Sequence, residues 1–319
     1  MKKTSIVGIA VFCILLAHTD ARAAVFEWEA PNIGDHQMSL RCYIPDGQLQ
    51  TRALFVLVPG LNGDGRGLAL DKEWQSLAQR TGCALIALLN RGNQNGIYYE
   101  VNHWSGELFL KGLAELSRTS GHPDLNSAPL GFWGHSAGGQ WNYNFACWKP
   151  ERTFAFIANK GGYYNGCASP AVRRIPALWI AGENDKEERI GNITSLYAEN
   201  RRRGALWGLL VEPGVDHAVG RSKEIGIVFL EDALTVAVDS SGTLIPITAG
   251  GWLGDLQSHE IMKATSADTG PSIRAWLPGE HSTELWKSIS QGVATTNTES
   301  SKFSVTGQSS STNTDRGSL

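Results

Sequence analysis

Residues Leu130-Gly131-Phe132-Trp133-Gly134-His135-Ser136-Ala137-Gly138-Gly139 run from an apolar segment into a serine flanked by glycines. The apolar run stops at Gly134, and Ser136 follows with a small residue and two more glycines behind it. This is G-x-S-x-G spacing placed directly after a strand-like run. It describes a strand-to-helix turn so tight that the central residue takes strained backbone angles and projects outward. Glycines at the flanking positions remove the Cβ atoms that would collide there. The short pattern alone is a weak signal, and its neighbours decide its meaning.

Working outward, the segments on both sides alternate between strand and helix. Gln37 to Ile44 alternates polar and apolar, as a half-buried strand does. Ala53 to Val58 and Cys83 to Leu89 are continuous apolar runs, typical of strands covered on both faces. Pro129 to Trp133, Phe154 to Asn159, Pro176 to Ala181 and Ala205 to Val211 read the same way. Helices are predicted for Leu70 to Arg80, Gly106 to Arg118, Ala137 to Trp148, Glu187 to Arg203 and Ser222 to Val238. Short buried strands alternating with helices predict a mostly parallel sheet with helices on both faces. Residues 90–105 and 161–174 read as loops.

In such sheets ligands bind beyond the carboxyl ends of the strands. Three loops at that edge carry a nucleophile, an acid and a base: Ser136, then Asp185 in Gly182-Glu183-Asn184-Asp185, then His217 in Pro213-Gly214-Val215-Asp216-His217. A serine hydroxyl is a poor nucleophile until a base takes its proton, which imidazole does near neutral pH. A carboxylate orients the ring and stabilises its cationic form. The order Ser…Asp…His is that of the α/β-hydrolase fold. Over about residues 36 to 240 the chain resembles that family.

The resemblance implies an α/β-hydrolase fold, with Ser136 as nucleophile, His217 as general base and then acid, and Asp185 as its orienting group. It implies an oxyanion hole from the N–H groups of Leu61 and Ala137. Such chemistry needs no cofactor and no metal. Glu183, Glu187 and Asp216 compete with Asp185, and His135 is the nearest rival to His217. Many relatives have a histidine before the oxyanion-loop glycine, where this chain has Pro59. Asn62, His135, Tyr98, His103, Trp104 and Tyr163 are candidate substrate contacts. The glycine-rich run from Gly60 to Gly67 lacks the lysine of a phosphate-binding loop. Short loops and the segment from Trp276 to Trp286 look most like secreted esterases of the poly(3-hydroxybutyrate) depolymerase or feruloyl esterase type. The expectation is a serine hydrolase cleaving carboxylic esters, a peptidase or acyltransferase with the same three residues being the alternative. A non-catalytic binding protein of the same fold is the reading from another class.

The chain's ends complete the reading. Lys2 and Lys3, the apolar run from Ile6 to Ala17 and Ala21-Arg22-Ala23 have the layout of a secretory leader over residues 1–23. Residues 24–292 are expected to form one domain, with 241–292 packed on the core and a Ser/Thr-rich disordered tail over 293–319. The expected location is secreted or periplasmic, without a membrane anchor. Loss of Lys2, Lys3 and Arg22 against Asp20 makes the mature chain more acidic than the net −3 of the whole. That charge argues against nucleic acid and acidic membranes as partners and leaves a small or polymeric ester as the expected one. Beyond the leader remain Cys42, Cys83, Cys147 and Cys167. Cys147 and Cys167 flank one candidate strand and are the expected pair, with other pairings and free thiols left open.

Overall fold

The computed structural model describes residues 23–293 except 32–35, 49, 93–98, 100, 248–249 and 266–272. The expected leader up to Arg22, the tail from 294 onward and Tyr98 lie outside the described residues. The first half of the chain gives β1 (Ala24–Glu29), β2 (Gln37–Ile44), β3 (Leu54–Val58), α1 (Lys72–Thr81), β4 (Ala84–Arg91), α2 (Ser105–Ser120), β5 (Leu130–His135) and α3 (Ala137–Trp148). Then follow β6 (Thr153–Asn159), α4 (Pro170–Arg173), β7 (Ala177–Gly182), α5 (Glu187–Arg202), β8 (Trp207–Glu212) and α6 (Ser222–Ala237). The chain continues through β9 (Trp252–Asp255), β10 (Ile261–Lys263), β11 (Arg274–Leu277) and α7 (Glu280–Ser290).

The first eight strands form one sheet in the order β1-β2-β4-β3-β5-β6-β7-β8. From β4 to β8 neighbouring strands are parallel, while β1 and β2 pair antiparallel at one edge. Alternation of side chains explains why the central strands are apolar throughout. On β3, Leu54, Val56 and Val58 enter the core on one face and Phe55 and Leu57 the core on the other. Helices α2, α3 and α5 cover the first face, and α1, α6 and α7 cover the second. Each fully buried Leu, Val or Phe contributes about 1.5–3 kcal/mol relative to exposure.

Helix ends follow local chemistry. The stretch expected to be helical from Leu70 starts at Lys72, because Asp71 caps it by accepting N–H bonds from Glu73 at 3.0 Å and Trp74 at 3.3 Å. It stops at Gly82, whose φ of 65° closes the last turn. Two parts of the fold go beyond the sequence reading. Strand β1 alternates half-buried and exposed residues, and its Trp28 fills the space that Gly112 leaves on α2. Strands β9, β10 and β11 form a small antiparallel sheet of their own. It is fastened by Trp286 of α7, which is buried and donates its indole N–H to the Leu209 carbonyl at 2.7 Å.

This topology sets where a site can form. The chain lays down β3, then β4 on one side of it and β5 on the other. The connections diverge there, and a crevice opens at the carboxyl ends of the strands. Ser136, Asp185 and His217 follow β5, β7 and β8 at that edge.

Candidate active site

Ser136 sits between β5 and α3 with φ 55° and ψ −124°. A non-glycine residue there is strained by about 1–3 kcal/mol, held in place by its surroundings. Its N–H donates to the Asn159 carbonyl at 2.7 Å, tying the turn to the end of β6. The flanking glycines are required by space. A Cβ on Gly134 would lie 2.6 Å from the Gly138 backbone, and one on Gly138 would lie 2.4 Å from the Val58 carbonyl oxygen. The loop after β3 therefore rests directly on this turn.

Three side chains expected from separate loops meet here. His217 Nε2 is 3.0 Å from Ser136 Oγ, and His217 Nδ1 is 2.9 Å from Asp185 Oδ2. A carboxylate only accepts, so Nδ1 carries the proton and Nε2 is free to accept from the serine. Asp185 is almost completely enclosed, its side chain 3% exposed. Burial opposes its ionisation, but the bond from His217, the Lys186 N–H at 2.8 Å and the guanidinium of Arg189 together hold its carboxyl below the usual range. The competing acids are used elsewhere: Glu183 accepts from the Gly214 N–H at 2.7 Å and Asp216 from the Ala218 N–H at 2.9 Å. Glu187 is exposed in the first turn of α5.

The candidate oxyanion groups flank Ser136. Ala137 opens α3, where first-turn N–H groups lack helical acceptors. Leu61 follows Gly60, whose added Cβ would lie 3.6 Å from Ser136 Cβ. The Leu61 side chain is 66% exposed, so any role there belongs to its backbone. Pro59 packs over Gly63 and Gly65, leaving no room for a Cβ at either. Asn62 has φ 54°, accepts the Gly92 N–H on Oδ1 at 3.1 Å and offers its carbonyl to Arg91 Nε at 3.1 Å. It braces one loop against another.

Other candidates divide. His135 turns toward the partner histidine: its Nε2–H donates to the His217 carbonyl at 2.8 Å, and the two rings lie 5.0 Å apart. Burial pushes it down to about 4, so it is neutral at ordinary pH. Its Nε2 is thus used in holding the His217 backbone. Tyr163 is 60% exposed, on a loop held by Gln140 and Asn192 through the backbone of Gly162. His103 is exposed, and Trp104 is half-buried with its ring 4.3 Å from that of His36. Trp141 and Tyr164 are buried in the core. The disulfide joins Cys147 to Cys167, tying α3 to the 161–174 loop. Burial raises the free thiols Cys42 and Cys83, to about 12 and about 11. Among the described residues no group of three or more His, Cys, Asp or Glu side chains is placed to hold a metal.

Beneath the site lies a polar cluster that sequence reasoning missed. Lys160 is fully buried with φ 53°, and its Nζ is 2.6 Å from Glu212 Oε2. The other Glu212 oxygen accepts the Arg221 N–H, and the Glu212 carbonyl accepts the Glu183 N–H at 3.0 Å. Glu212 thus joins both ends of the loop that carries His217. Asn159 Nδ2 donates to Ser222 Oγ at 2.6 Å, linking the serine turn to the same loop. Gly220 makes room for Glu212, since a Cβ there would lie 2.2 Å from Glu212 Oε1, and a Cβ on Gly182 would strike the Asp216 and Val215 carbonyl oxygens of the His217 loop.

No protein-family model matches the chain, and no curated protein matches it in sequence. Solved structures do match. LpqC, a poly(3-hydroxybutyrate) depolymerase from Bordetella parapertussis, is 17% identical with a TM-score of 0.50, over 66% of this chain and 89% of that one. A poly(aspartic acid) hydrolase-1 from Sphingomonas sp. KT-1 is 16% identical, with a TM-score of 0.49 over 66% of this chain and 98% of that one. An S-formylglutathione hydrolase from Agrobacterium tumefaciens is 18% identical, with a TM-score of 0.48 over 68% and 97%. The match to LpqC is one of fold alone, and with the mostly parallel eight-stranded sheet the chain has the α/β-hydrolase fold.

Proposed function

We propose that this α/β-hydrolase-fold protein is a serine hydrolase that cleaves carboxylic esters through an acyl-enzyme. The observation that carries the reading is the continuous hydrogen-bonded line from Asp185 through His217 to a serine held at φ 55°. Ser136 Oγ attacks the ester carbonyl while His217 Nε2 takes its proton. The tetrahedral oxyanion is received by the N–H groups of Ala137 and Leu61, each such donor lowering the barrier by about 3 kcal/mol. His217 then returns the proton to the departing alcohol. Water, activated by the same ring, releases the acid. Asp185 keeps the ring in its Nδ1–H form, and His135 fixes its backbone.

A fluorophosphonate probe is expected to label the folded mature protein at Ser136, and absence of labelling would sink this reading. A panel of aryl acetate, longer acyl esters, feruloyl esters, polyesters and peptide amides is expected to show turnover of esters. Turnover of amides alone would favour a peptidase.

Export is proposed as well. It is supported by the leader-like residues 1–23 and by the Cys147–Cys167 disulfide, which persists in oxidising compartments. Among the described residues no helix is long and apolar enough to cross a membrane. N-terminal sequencing of the exported protein is expected to begin at Ala24, and a mature chain beginning at Met1 would refute it.

A further inference from the structure

The two oxygens of Asp185 have different partners. Oδ2 faces His217 Nδ1 at 2.9 Å. Oδ1 accepts the Lys186 N–H at 2.8 Å and is paired with Nη1 of Arg189. Arg189 lies four residues on, in the first turn of α5, while Asp185 stands just before the N-cap Lys186. This is not an ordinary surface pair. The carboxylate is 3% exposed and the arginine side chain 19% exposed.

On its other side the guanidinium runs beside the 161–174 loop. Its Nε is buried without a hydrogen-bond partner and lies 3.7 Å from where a Cβ on Gly162 would be. Gly162 itself is clamped, its N–H donating to Gln140 Oε1 at 3.2 Å and its carbonyl accepting from Asn192 Nδ2 at 3.0 Å. Arg189 therefore lies between the acid and a loop held by Gln140 and Asn192, and its pairing with Oδ1 is what keeps it there.

We propose that Arg189 is a positioning residue for Ser136, His217 and Asp185: it holds Asp185 by Oδ1 so that Oδ2 alone addresses His217, and its charge limits how tightly the carboxylate grips the protonated ring. This rests on the serine-hydrolase reading. Without Arg189 only the Lys186 N–H still holds Oδ1, so the carboxylate has more freedom to tilt away from Nδ1, and hydrogen bonds weaken steeply with misalignment. A carboxylate stripped of its cation presents its full charge to the imidazolium. The base would then remain protonated to higher pH.

The other charged and titratable groups facing His217 are engaged elsewhere. His135 on β5 donates to the His217 carbonyl, and Lys160 after β6 is paired with Glu212 of β8. Glu183 after β7 holds the Gly214 N–H, and Asp216 in the same loop holds the Ala218 N–H. Arg221 at the start of α6 is paired with Glu224. Substituting Arg189 leaves these contacts in place.

The test uses the mature chain carrying Arg189→Met, Arg189→Gln or Arg189→Lys, with an aryl acetate as substrate and kcat and KM measured across pH. In Arg189→Met and Arg189→Gln, kcat is expected to fall about ten- to a hundredfold with KM little changed. The acid limb of kcat/KM is expected to move up by about 0.5–1 pH unit. Arg189→Lys keeps the charge and is expected to return the limb to its parental position while recovering only part of kcat. The downfield proton resonance of the His217 Nδ1–H is expected to shift in Arg189→Met. If kcat falls in all three variants alike with the limb and the resonance unmoved, Arg189 is a structural brace and the proposal fails. If the limb moves to lower pH, it also fails. If Arg189→Met does not fold, Arg189→Gln against Arg189→Lys decides on the same readouts. A parent protein inactive on every ester and amide would overturn the hydrolase reading instead, and the proton resonance would still report on the positioning.

Discussion

The bodies of the central strands and their carboxyl ends obey opposite rules. Along β3 to β8 nearly every side chain is apolar and buried. One or a few residues beyond those strands the chain turns strained and charged. Of the four non-glycine residues with positive φ among the described residues, Asn62, Ser136 and Lys160 follow β3, β5 and β6, and only His259 lies elsewhere. The buried pair of Lys160 and Glu212 is at the same edge, as is the enclosed Asp185. The strand bodies supply stability that offsets the cost of holding strained and charged residues at the ends.

That contrast can be broken at several points. Ser136→Ala is expected to lower ester hydrolysis by about 10⁴-fold or more while leaving thermal stability nearly unchanged. A large loss of melting temperature would mean that the turn depends on the hydroxyl. Glu212→Leu leaves the buried Lys160 charge with no counter-ion and only the Asn159 Oδ1 at 3.3 Å to receive it, and is expected to cost about 3–5 kcal/mol in denaturant unfolding. The double variant Lys160→Met with Glu212→Leu should recover much of that stability but not the activity, because Arg221 loses its acceptor. Full recovery of both would show that the pair does not hold the His217 loop.

Leu57→Ala, in a strand body, is expected to cost about 2–5 kcal/mol with kcat and KM unchanged. A selective loss of kcat there would erase the distinction between body and edge. An effect of similar size is expected from pH. Burial lowers His135 from 6.5 to about 4, so the unfolded chain binds a proton there more readily than the folded one. The stability is complete above about 6.5 and is lost as pH falls through about 4, amounting to about 3 kcal/mol. A His135→Gln variant should lack this part of the acid dependence. If its unfolding free energy followed pH as the parent's does, the ring would not be the titrating group.

Much of this molecule can be read locally. The strand and helix periods from Gln37 to Val238 are strong, so element order places Ser136, Asp185 and His217 at one sheet edge. Strand β1 escapes because an edge strand buries only alternate residues partway. Strands β9 to β11 escape because three or four residues show no period. Lys160 escapes for another reason: a lysine after a strand looks like a solvated end until its partner, 52 residues away, is known.

The sequence by itself determined the apolar alternation, the glycine spacing around Ser136 and the order of the three loops. Those are properties of neighbouring residues, set by backbone sterics and by the two periods of regular structure. Only the tertiary structure decided which carboxylate meets His217, that His135 holds its backbone, and that Arg189 and Lys160 stand behind the site. Hydrogen bonds and ion pairs act over about 3 Å, and residues far apart in the chain reach that distance only once the sheet has aligned its strand ends.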